Sequence, residues 1–396
     1  MNMRNKDCIL TINGGSSSIK FSLYRMSESL EELFSGEIEN IGSEKATLHF
    51  TTAKDQQENN ISFQASTHDE AADHLIHWLG KQEDFHSVKA IGHRIVHGMK
   101  HTEPELITDS LLIELKKISA FDPEHLPEEI KLIEVFQKRY PALKQIACFD
   151  TSFHTSMPVV AKLLSIPRRY YEMGIQRYGF HGLSYAYLME ELERREGLEA
   201  ANGKIILAHL GSGASLAAVK EGRSLDTSMG FTPTAGLPMG TRTGDLDPGV
   251  AWYLMQQEKL TPKEFSQLIN HESGLLGISE TNSDMRELMK IEETDHRAKQ
   301  AVQLFCYQTR KWIGSFAAVL NGLDILIFAG GIGEHSPEVR SKVCDNLAFL
   351  GIELDEINNM NNEYLISTEI SKVKVYVIKT NEELMIAKLV YNMLNC

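Results

Sequence analysis

Two stretches far apart in the chain follow one plan. Cys8-Ile-Leu-Thr-Ile12 is a short apolar run that stops at Asn13-Gly14-Gly15 and resumes as the alternating Ile19-Lys-Phe-Ser-Leu23. The second stretch runs from Lys204 through Ile205-Ile-Leu-Ala208, His209-Leu-Gly-Ser-Gly213 and Ala214-Ser-Leu-Ala-Ala-Val219. Each reads as strand, Gly/Ser turn, strand, because short apolar or alternating runs bounded by glycine suit a hairpin. A supersecondary unit that occurs twice points to a fold of two related halves. The length, 396 residues, agrees, since one hydrophobic core rarely organises so long a chain.

The remaining pattern is mixed α/β. Strands are expected at 46–50, 61–65, 88–92, 145–149 and 373–378, with an exposed connection over 52–60. Helical spacing marks 69–79, 110–118, 128–139 and 381–394. Proline at the first helical position, behind a capping residue, marks starts at Asp247-Pro248, Thr261-Pro262 and Ser336-Pro337, and Glu264 completes a capping box with Thr261. The longest helix covers 295–320, with Val302, Phe305, Thr309, Trp312, Phe316 and Leu320 on one face and Asn321-Gly322 closing it. A buried strand, 324–329, then runs into Gly330-Gly-Ile-Gly333.

Composition narrows the function. Lys and Arg total 40 against 54 Asp and Glu, a net charge of −14, which disfavours nonspecific binding to nucleic acid or an anionic membrane. The five cysteines are scattered and form no C-x-x-C pair, so neither a disulfide scaffold nor a structural zinc site is expected. No apolar run reaches a membrane span, and the polar start, Met1 to Asp7, lacks the apolar core of a signal peptide. A cytoplasmic protein is the expectation.

Three glycine-rich turns, at 13–18, 209–213 and 330–334, each follow an apolar strand. Glycine lets backbone N–H groups converge on an anion, and small hydroxyls add donors. The third leads toward the helix start at Pro337, whose dipole favours negative charge. Neither a P-loop nor a G-x-G-x-x-G fingerprint is present. The arrangement is that of two half-domains clamping one nucleotide.

Charged residues also sit beside glycine at strand ends. They include Arg94 in Gly92-His-Arg-Ile-Val-His-Gly98, Asp150 in Phe149-Asp-Thr-Ser-Phe-His154, His181 in Tyr178-Gly-Phe-His-Gly182 and Arg242 in Met239-Gly-Thr-Arg-Thr-Gly-Asp245. Phosphoryl transfer asks for such parts, because charge spread over the equatorial oxygens needs aligned cations and donors. Arginine's planar fork binds phosphate or carboxylate through two bonds. Lys20 and Arg242 suit phosphate and Arg94 a carboxylate, while Asp150 and Glu382 suit a magnesium ion, directly or through waters. Thr380 and Glu383 have capping-box spacing, which assigns Glu383 to structure and leaves Glu382 for function.

Taken together, these segments resemble the acetate kinase family, which includes acetate and propionate kinases. The resemblance spans nearly the whole chain in order, adding Asn13-Gly-Gly-Ser-Ser-Ser-Ile-Lys20, Asp226-Thr-Ser-Met-Gly-Phe-Thr-Pro233, Ser283-Asp-Met-Arg286, Gly331-Ile-Gly-Glu334 and Thr380-Asn-Glu-Glu383. It implies an α/β fold of the duplicated actin-like ATPase (ribonuclease H-like) type, two domains around a cleft. One half would be 1–150 with the closing helix 381–396, the other 151–380. It also implies a homodimer that uses ATP and Mg²⁺, or Mn²⁺, to phosphorylate acetate reversibly to acetyl phosphate.

Matched position by position, Asn13 and Glu382 fall on the family's metal-site residues and Arg94 on its substrate-carboxylate contact. Asp150 falls on its catalytic acid, and His181 and Arg242 on its transition-state pair. Lys20 would join the nucleotide contacts, which are His209, Leu210, Gly211, Ser212, Gly213, Asp284, Met285, Arg286, Gly331, Ile332, Gly333, Glu334 and His335. Val96, Phe180 and Pro233 fall on its acyl pocket. A carboxylate acceptor is already ionised at pH 7, so the chemistry asks Asp150 to position Arg94 or the metal rather than to move a proton.

Several positions depart from the family. Ser212 and His335 stand where asparagine is usual, and Gly182-Leu-Ser-Tyr185 replaces a usual Gly-Thr-Ser-His. Glu124 in Pro123-Glu-His125 replaces a leucine of the acyl pocket, which opens the reading of a kinase for propionate, butyrate or a hydroxy acid. A non-enzymatic actin-like nucleotide-binding protein is the remaining alternative, and it has no evident need of Arg94, His181 and Arg242 together.

Overall fold

A computed structural model describes residues 7–15, 17–27, 29–43, 45–53 and 57–395. Ser16 of the first glycine-rich turn, the middle of the 52–60 connection, the first six residues and Cys396 lie outside the described residues. The chain divides into two units, Met1–Ser152 with Asn381–Cys396, and Phe153–Thr380.

The first unit is built on an eight-stranded sheet: β1 (Cys8–Gly14), β2 (Ile19–Arg25), β3 (Glu31–Glu39), β4 (Ala46–Thr52), β5 (Asn59–Phe63), β6 (Val88–Ile95), β7 (Glu105–Leu106) and β8 (Lys144–Phe149). Its order is β5-β4-β3-β2-β1-β6-β8-β7. β1 pairs antiparallel with β2 but parallel with β6, which in turn pairs parallel with β8. The second unit has a five-stranded sheet of β9 (Lys204–Leu210), β10 (Ala214–Lys220), β11 (Arg223–Thr227), β12 (Ile325–Ala329) and β13 (Lys374–Val377), in the order β11-β10-β9-β12-β13. β9 and β10 form the antiparallel hairpin, and β12 lies parallel to both β9 and β13. Position for position, this is the order β3-β2-β1-β6-β8 of the first unit, so the two hairpins open two copies of one plan.

Strands β3 and β11 were not legible in the sequence. β3 (Glu-Glu-Leu-Phe-Ser-Gly-Glu-Ile-Glu) has four glutamates, a glycine and a register shift opposite β2, all of which blur the two-residue period. Its Gly36 leaves room for Phe21, since a Cβ there would lie 2.6 Å from the Phe21 ring.

The helices show where local signals held and where they slipped. Asp247 and Thr261 cap their helices as expected, Thr261 with Glu264 in a capping box. Ser336 does not: its hydroxyl turns to the Met289 sulfur, 3.5 Å away, and gives no cap hydrogen bond. The helix His296–Leu320 buries Val302, Phe305, Thr309, Phe316 and Leu320. Ile313 rather than Trp312 continues that stripe, because the four-residue step from Thr309 falls on 313. Asn321 closes the helix in the left-handed conformation at φ 53°.

The closing helix, Glu382–Asn395, packs on β6 at Gly92, where a Cβ would come 2.5 Å from Ile386 and 2.7 Å from Val390. The capping box expected at its start is absent. Asn381 caps instead, its side-chain oxygen accepting from the Leu384 N–H at 2.8 Å, and the Thr380 hydroxyl lies 2.7 Å from that of Ser184. Asparagine is as good a cap as threonine, and its winning the position releases Glu383.

Candidate active site

In the first unit three adjacent parallel strands, β1, β6 and β8, end at the same edge of the sheet. Their C-terminal ends deliver Asn13, Arg94 and Asp150, the edge at which open α/β sheets hold ligands. Arg94 Nη2 donates to Asp150 Oδ2 at 2.9 Å, with the arginine side chain 14% exposed and the aspartate 0%. Burial opposes the guanidinium charge, and Asp150, Glu382 and Glu129 more than restore it, so the Arg94 pKa is pushed up. Arg94 Nε is buried and has no hydrogen-bond partner among the described residues. A buried, unpaired N–H on a paired guanidinium is a donor waiting for an acceptor.

The released Glu383 changes the metal-site expectation. Asn13 Nδ2 donates to both Glu382 Oε2 at 3.0 Å and Glu383 Oε1 at 3.1 Å. Glu383 therefore belongs to this cluster, contrary to the structural role its spacing suggested. Burial, and then the like charge of Glu382, raises the Glu383 pKa. Lys20 lies near the group, its ammonium 4.0 Å from Glu37 and half exposed.

Glu129 was not anticipated at all, since it reads as an ordinary first-turn acid of the helix Leu126–Arg139. It is buried, and its two oxygens accept from the Val96 N–H at 3.0 and 3.3 Å. Burial pushes its pKa from the ordinary 4.5 up to about 8, against the pull of Arg94. The folded protein thus keeps a proton that the unfolded chain has released, and stability falls as pH rises through that window. Glu129→Gln, which retains an acceptor for Val96, is expected to flatten this slope. Urea midpoints of both proteins across the window check it, and parallel pH profiles would mean that Glu129 is ionised throughout.

The second unit gathers most of the remaining candidates around two glycine-rich segments. Leu210 is buried, Ser212 is exposed, and Gly211 N donates to Gly213 O at 3.0 Å to close the turn after β9. The segment after β12 is helical from Gly330 to His335, not an open turn running on to Pro337. Gly330 has φ 74°, and a Cβ there would press within 2.7 Å of Leu210 O, so only glycine lets the two segments abut. Gly331 and His335 are exposed, Ile332 half-buried and Gly333 buried. Glu334 is turned inward, its Oε1 accepting from the N–H groups of Gly330 (2.9 Å) and Thr380 (3.0 Å). The fully buried Arg340 holds the segment from behind, donating to Gly333 O at 2.8 Å and Glu334 O at 3.1 Å.

His181 and Arg242 both reach this turn. A Cβ added to Gly213 would lie 3.4 Å from His181 Nε2 and 3.9 Å from Arg242 Nη1. His181 has φ 59°, a left-handed conformation costly for histidine, at the start of the helix Gly182–Glu196. Its ring stacks on His209, with centroids 4.2 Å apart. Arg242 Nη1 donates to Pro233 O at 3.2 Å, and Gly240 N to Ser212 O at 3.2 Å, which ties the Arg242 loop to the turn. Asp284 caps the helix Met285–Ile291 and pairs with Arg286 at 2.6 Å, a hydrogen bond that lowers the Asp284 pKa; Met285 is buried. Ser283 meets the Arg242 loop, its carbonyl 3.3 Å from a Cβ built at Gly240. Of the acyl-pocket candidates, Val96 lies in the first unit and Phe180 and Pro233 in the second, and all three are buried.

Comparison with known proteins agrees over the full length. The model of the acetokinase family matches residues 8–388. The acetate kinase of Methylocella silvestris is 41% identical over 392 residues, 96% of each chain. The crystal structure of Porphyromonas gingivalis acetate kinase matches with a TM-score of 0.86 at 35% identity, over 98% of this chain and 100% of that one. That of a propionate kinase from Francisella tularensis matches with a TM-score of 0.90 at 35% identity, over 97% and 98%. The fold is therefore the two-domain actin-like ATPase fold of these kinases, and the chain belongs to the acetokinase family.

Proposed function

We propose that this protein is an acetate kinase, transferring the γ-phosphoryl group of ATP reversibly to acetate and giving acetyl phosphate and ADP. The observation that carries the reading is Arg94: buried, held on one edge by Asp150, and left with an unpaired Nε at the strand ends. A small carboxylate satisfies that donor and the charge at once.

One acetate oxygen attacks the γ-phosphorus and the bond to the β-γ bridging oxygen breaks, so ADP leaves with that electron pair. No proton moves, because the acid is already ionised. Asp150 is then a positioning residue that fixes the guanidinium of Arg94. His181 and Arg242 donate to the equatorial oxygens as charge spreads over them. His209–Gly213, Asp284–Arg286 and Gly331–His335 take the nucleotide, with Glu334 shaping the backbone from inside. Val96, Phe180 and Pro233 form the apolar wall for the methyl group.

Asn13, Glu382 and Glu383 fit a magnesium ion, with manganese as a substitute. Two neighbouring carboxylates share a single amide donor, an arrangement that a divalent cation relieves. Magnesium commonly takes one or two carboxylates together with phosphate oxygens and waters. When bound it would neutralise phosphate charge. A homodimer in the cytoplasm completes the reading. The helix Pro248–Gln257 buries none of its residues and exposes Trp252 and Tyr253 at 68% and 57%, an apolar face suited to a second copy. No helix among the described residues is long and apolar enough to cross a membrane.

Glu124 decides which acid fits best. It is half-buried, in the turn just before the helix Leu126–Arg139. A carboxylate beside the methyl group desolvates badly, at a cost of several kcal/mol when uncompensated. Glu124→Leu is expected to lower the acetate KM and to favour propionate. A panel of short acids and hydroxy acids, with the acyl phosphate trapped as hydroxamate, tests both the reading and this residue. Unchanged KM ratios would place Glu124 outside the acyl site, and no hydroxamate from any acid would overturn the function.

A further inference from the structure

The two stacked histidines are each anchored at Nδ1 by a serine. His181 Nδ1 lies 2.8 Å from Ser215 Oγ, which lies 2.5 Å from the Tyr185 hydroxyl. His209 Nδ1 lies 2.8 Å from Ser184 Oγ, which lies 2.7 Å from the Thr380 hydroxyl. Ser215, Tyr185 and Ser184 are all 0% exposed. Both chains run from the buried interior to an imidazole, and both imidazoles turn Nε2 toward the glycine turn: His181 Nε2 toward Gly213, and His209 Nε2 toward Gly211, 3.9 Å from a Cβ built there.

We propose that Ser215 and Tyr185 are positioning residues that hold His181 as the Nε2–H tautomer, so that a neutral imidazole presents its N–H to the transferring phosphoryl group. The proposal deepens the kinase reading and rests on it for the identity of that group.

A serine hydroxyl has one proton to give, so the direction of the chain is all-or-none. A phenol is the stronger donor of the two hydroxyls. Tyr185 therefore donates to Ser215, and Ser215 spends its own proton on His181 Nδ1, which must then accept. The ring proton is left on Nε2. Protonating His181 would place a hydrogen on Nδ1 and require both hydroxyls to reverse. It would also set a cation 4.2 Å above the His209 ring, a stack that tolerates at most one positive charge. The left-handed backbone of His181 is the strain that aims the ring at the turn while its Nδ1 stays on Ser215.

Nitrogen-15 NMR of protein labelled at histidine reads the tautomer directly, with the His181 signals assigned by their loss in His181→Gln. The expected result is an Nε2–H imidazole through neutral pH. An Nδ1–H tautomer, or an imidazolium at pH 7, would overturn the proposal. Ser215→Ala is expected to give mixed tautomers and to lower kcat about tenfold, with both KM values within about twofold of wild type. Tyr185→Phe, which removes one oxygen from a packed ring, is expected to do the same more weakly. A Ser215→Ala protein with wild-type tautomer and kcat would also overturn it. The NMR result stands apart from the function: a protein with the expected tautomer but no phosphoryl transfer would refute the kinase reading and leave the relay intact.

Discussion

Arg242→Ala lowers kcat by about 10³-fold or more, while nucleotide affinity changes little; this is the size of effect that a transition-state arginine carries in phosphoryl transfer. The structure explains why the residue is held so firmly. Its loop is closed at the base by Asp245, whose carboxylate accepts from Gly236 N at 2.9 Å and whose N–H donates to Gly236 O at 3.0 Å. Gly244 at φ 71° and Gly274 at φ 61° take conformations that only glycine adopts without strain, and a Cβ on Gly274 would overlap the backbone of Met239 and Arg242. The guanidinium is thus delivered by backbone geometry to the turn where His181 Nε2 also lies. Its one close internal partner is the Pro233 carbonyl, so truncation costs the fold little and the loss falls on the chemistry. Arg242→Lys is expected to recover only part of the rate, because an ammonium cannot supply two parallel donors. Steady-state kinetics check both variants, and an alanine protein with more than a tenth of wild-type kcat would contradict the assignment.

Arg94→Ala is expected to act differently. The KM for acetate rises far more than that for ATP, since the guanidinium serves one substrate only. The same change removes the partner of Asp150, a carboxylate that is 0% exposed, and breaking a buried pair from one side costs about 3–5 kcal/mol. The variant should therefore melt well below wild type, and its kinetics must be read below that transition. Arg94→Ala combined with Asp150→Asn separates the two effects. Removing the stranded charge restores much of the stability but none of the acetate affinity. Equal rises in both KM values would instead place Arg94 on the phosphates.

How much of this was legible in the sequence depends on the kind of signal. The hairpins Cys8–Arg25 and Lys204–Lys220 were readable because glycine turns and apolar runs are local, and their repetition carried the idea of two related halves. Strand β3 was hidden by its glutamates, because the neighbours that make those residues acceptable in a sheet lie on other strands. Residues at strand ends beside glycine, such as Arg94, Asp150, His181 and Arg242, stood out because that combination is rarely needed for packing alone.

What the sequence concealed are partners brought together from a distance. Glu129 looks like a helix-dipole acid and is in fact buried on Val96 N. Glu383 fits a capping box with Thr380, yet Asn381 takes the cap and Glu383 turns to Asn13. Spacing cannot decide between two adjacent capping residues, because the decision rests on where Thr380 is pulled by Ser184. Tyr185 and Ser215 carry no motif of their own, and only the hydrogen-bond chain to His181 gives them meaning. Tyr185 was nonetheless visible as a departure from the usual histidine.

The central claim is that a carboxylate oxygen takes the γ-phosphoryl group of ATP directly. Phosphorus-31 NMR of the purified protein with ATP, magnesium and acetate tests it in one spectrum. The expected result is an acetyl phosphate resonance growing in step with ADP, abolished when acetate is left out and reversed when ADP and acetyl phosphate are supplied instead. ADP appearing with inorganic phosphate alone, at the same rate with or without acetate, would contradict it.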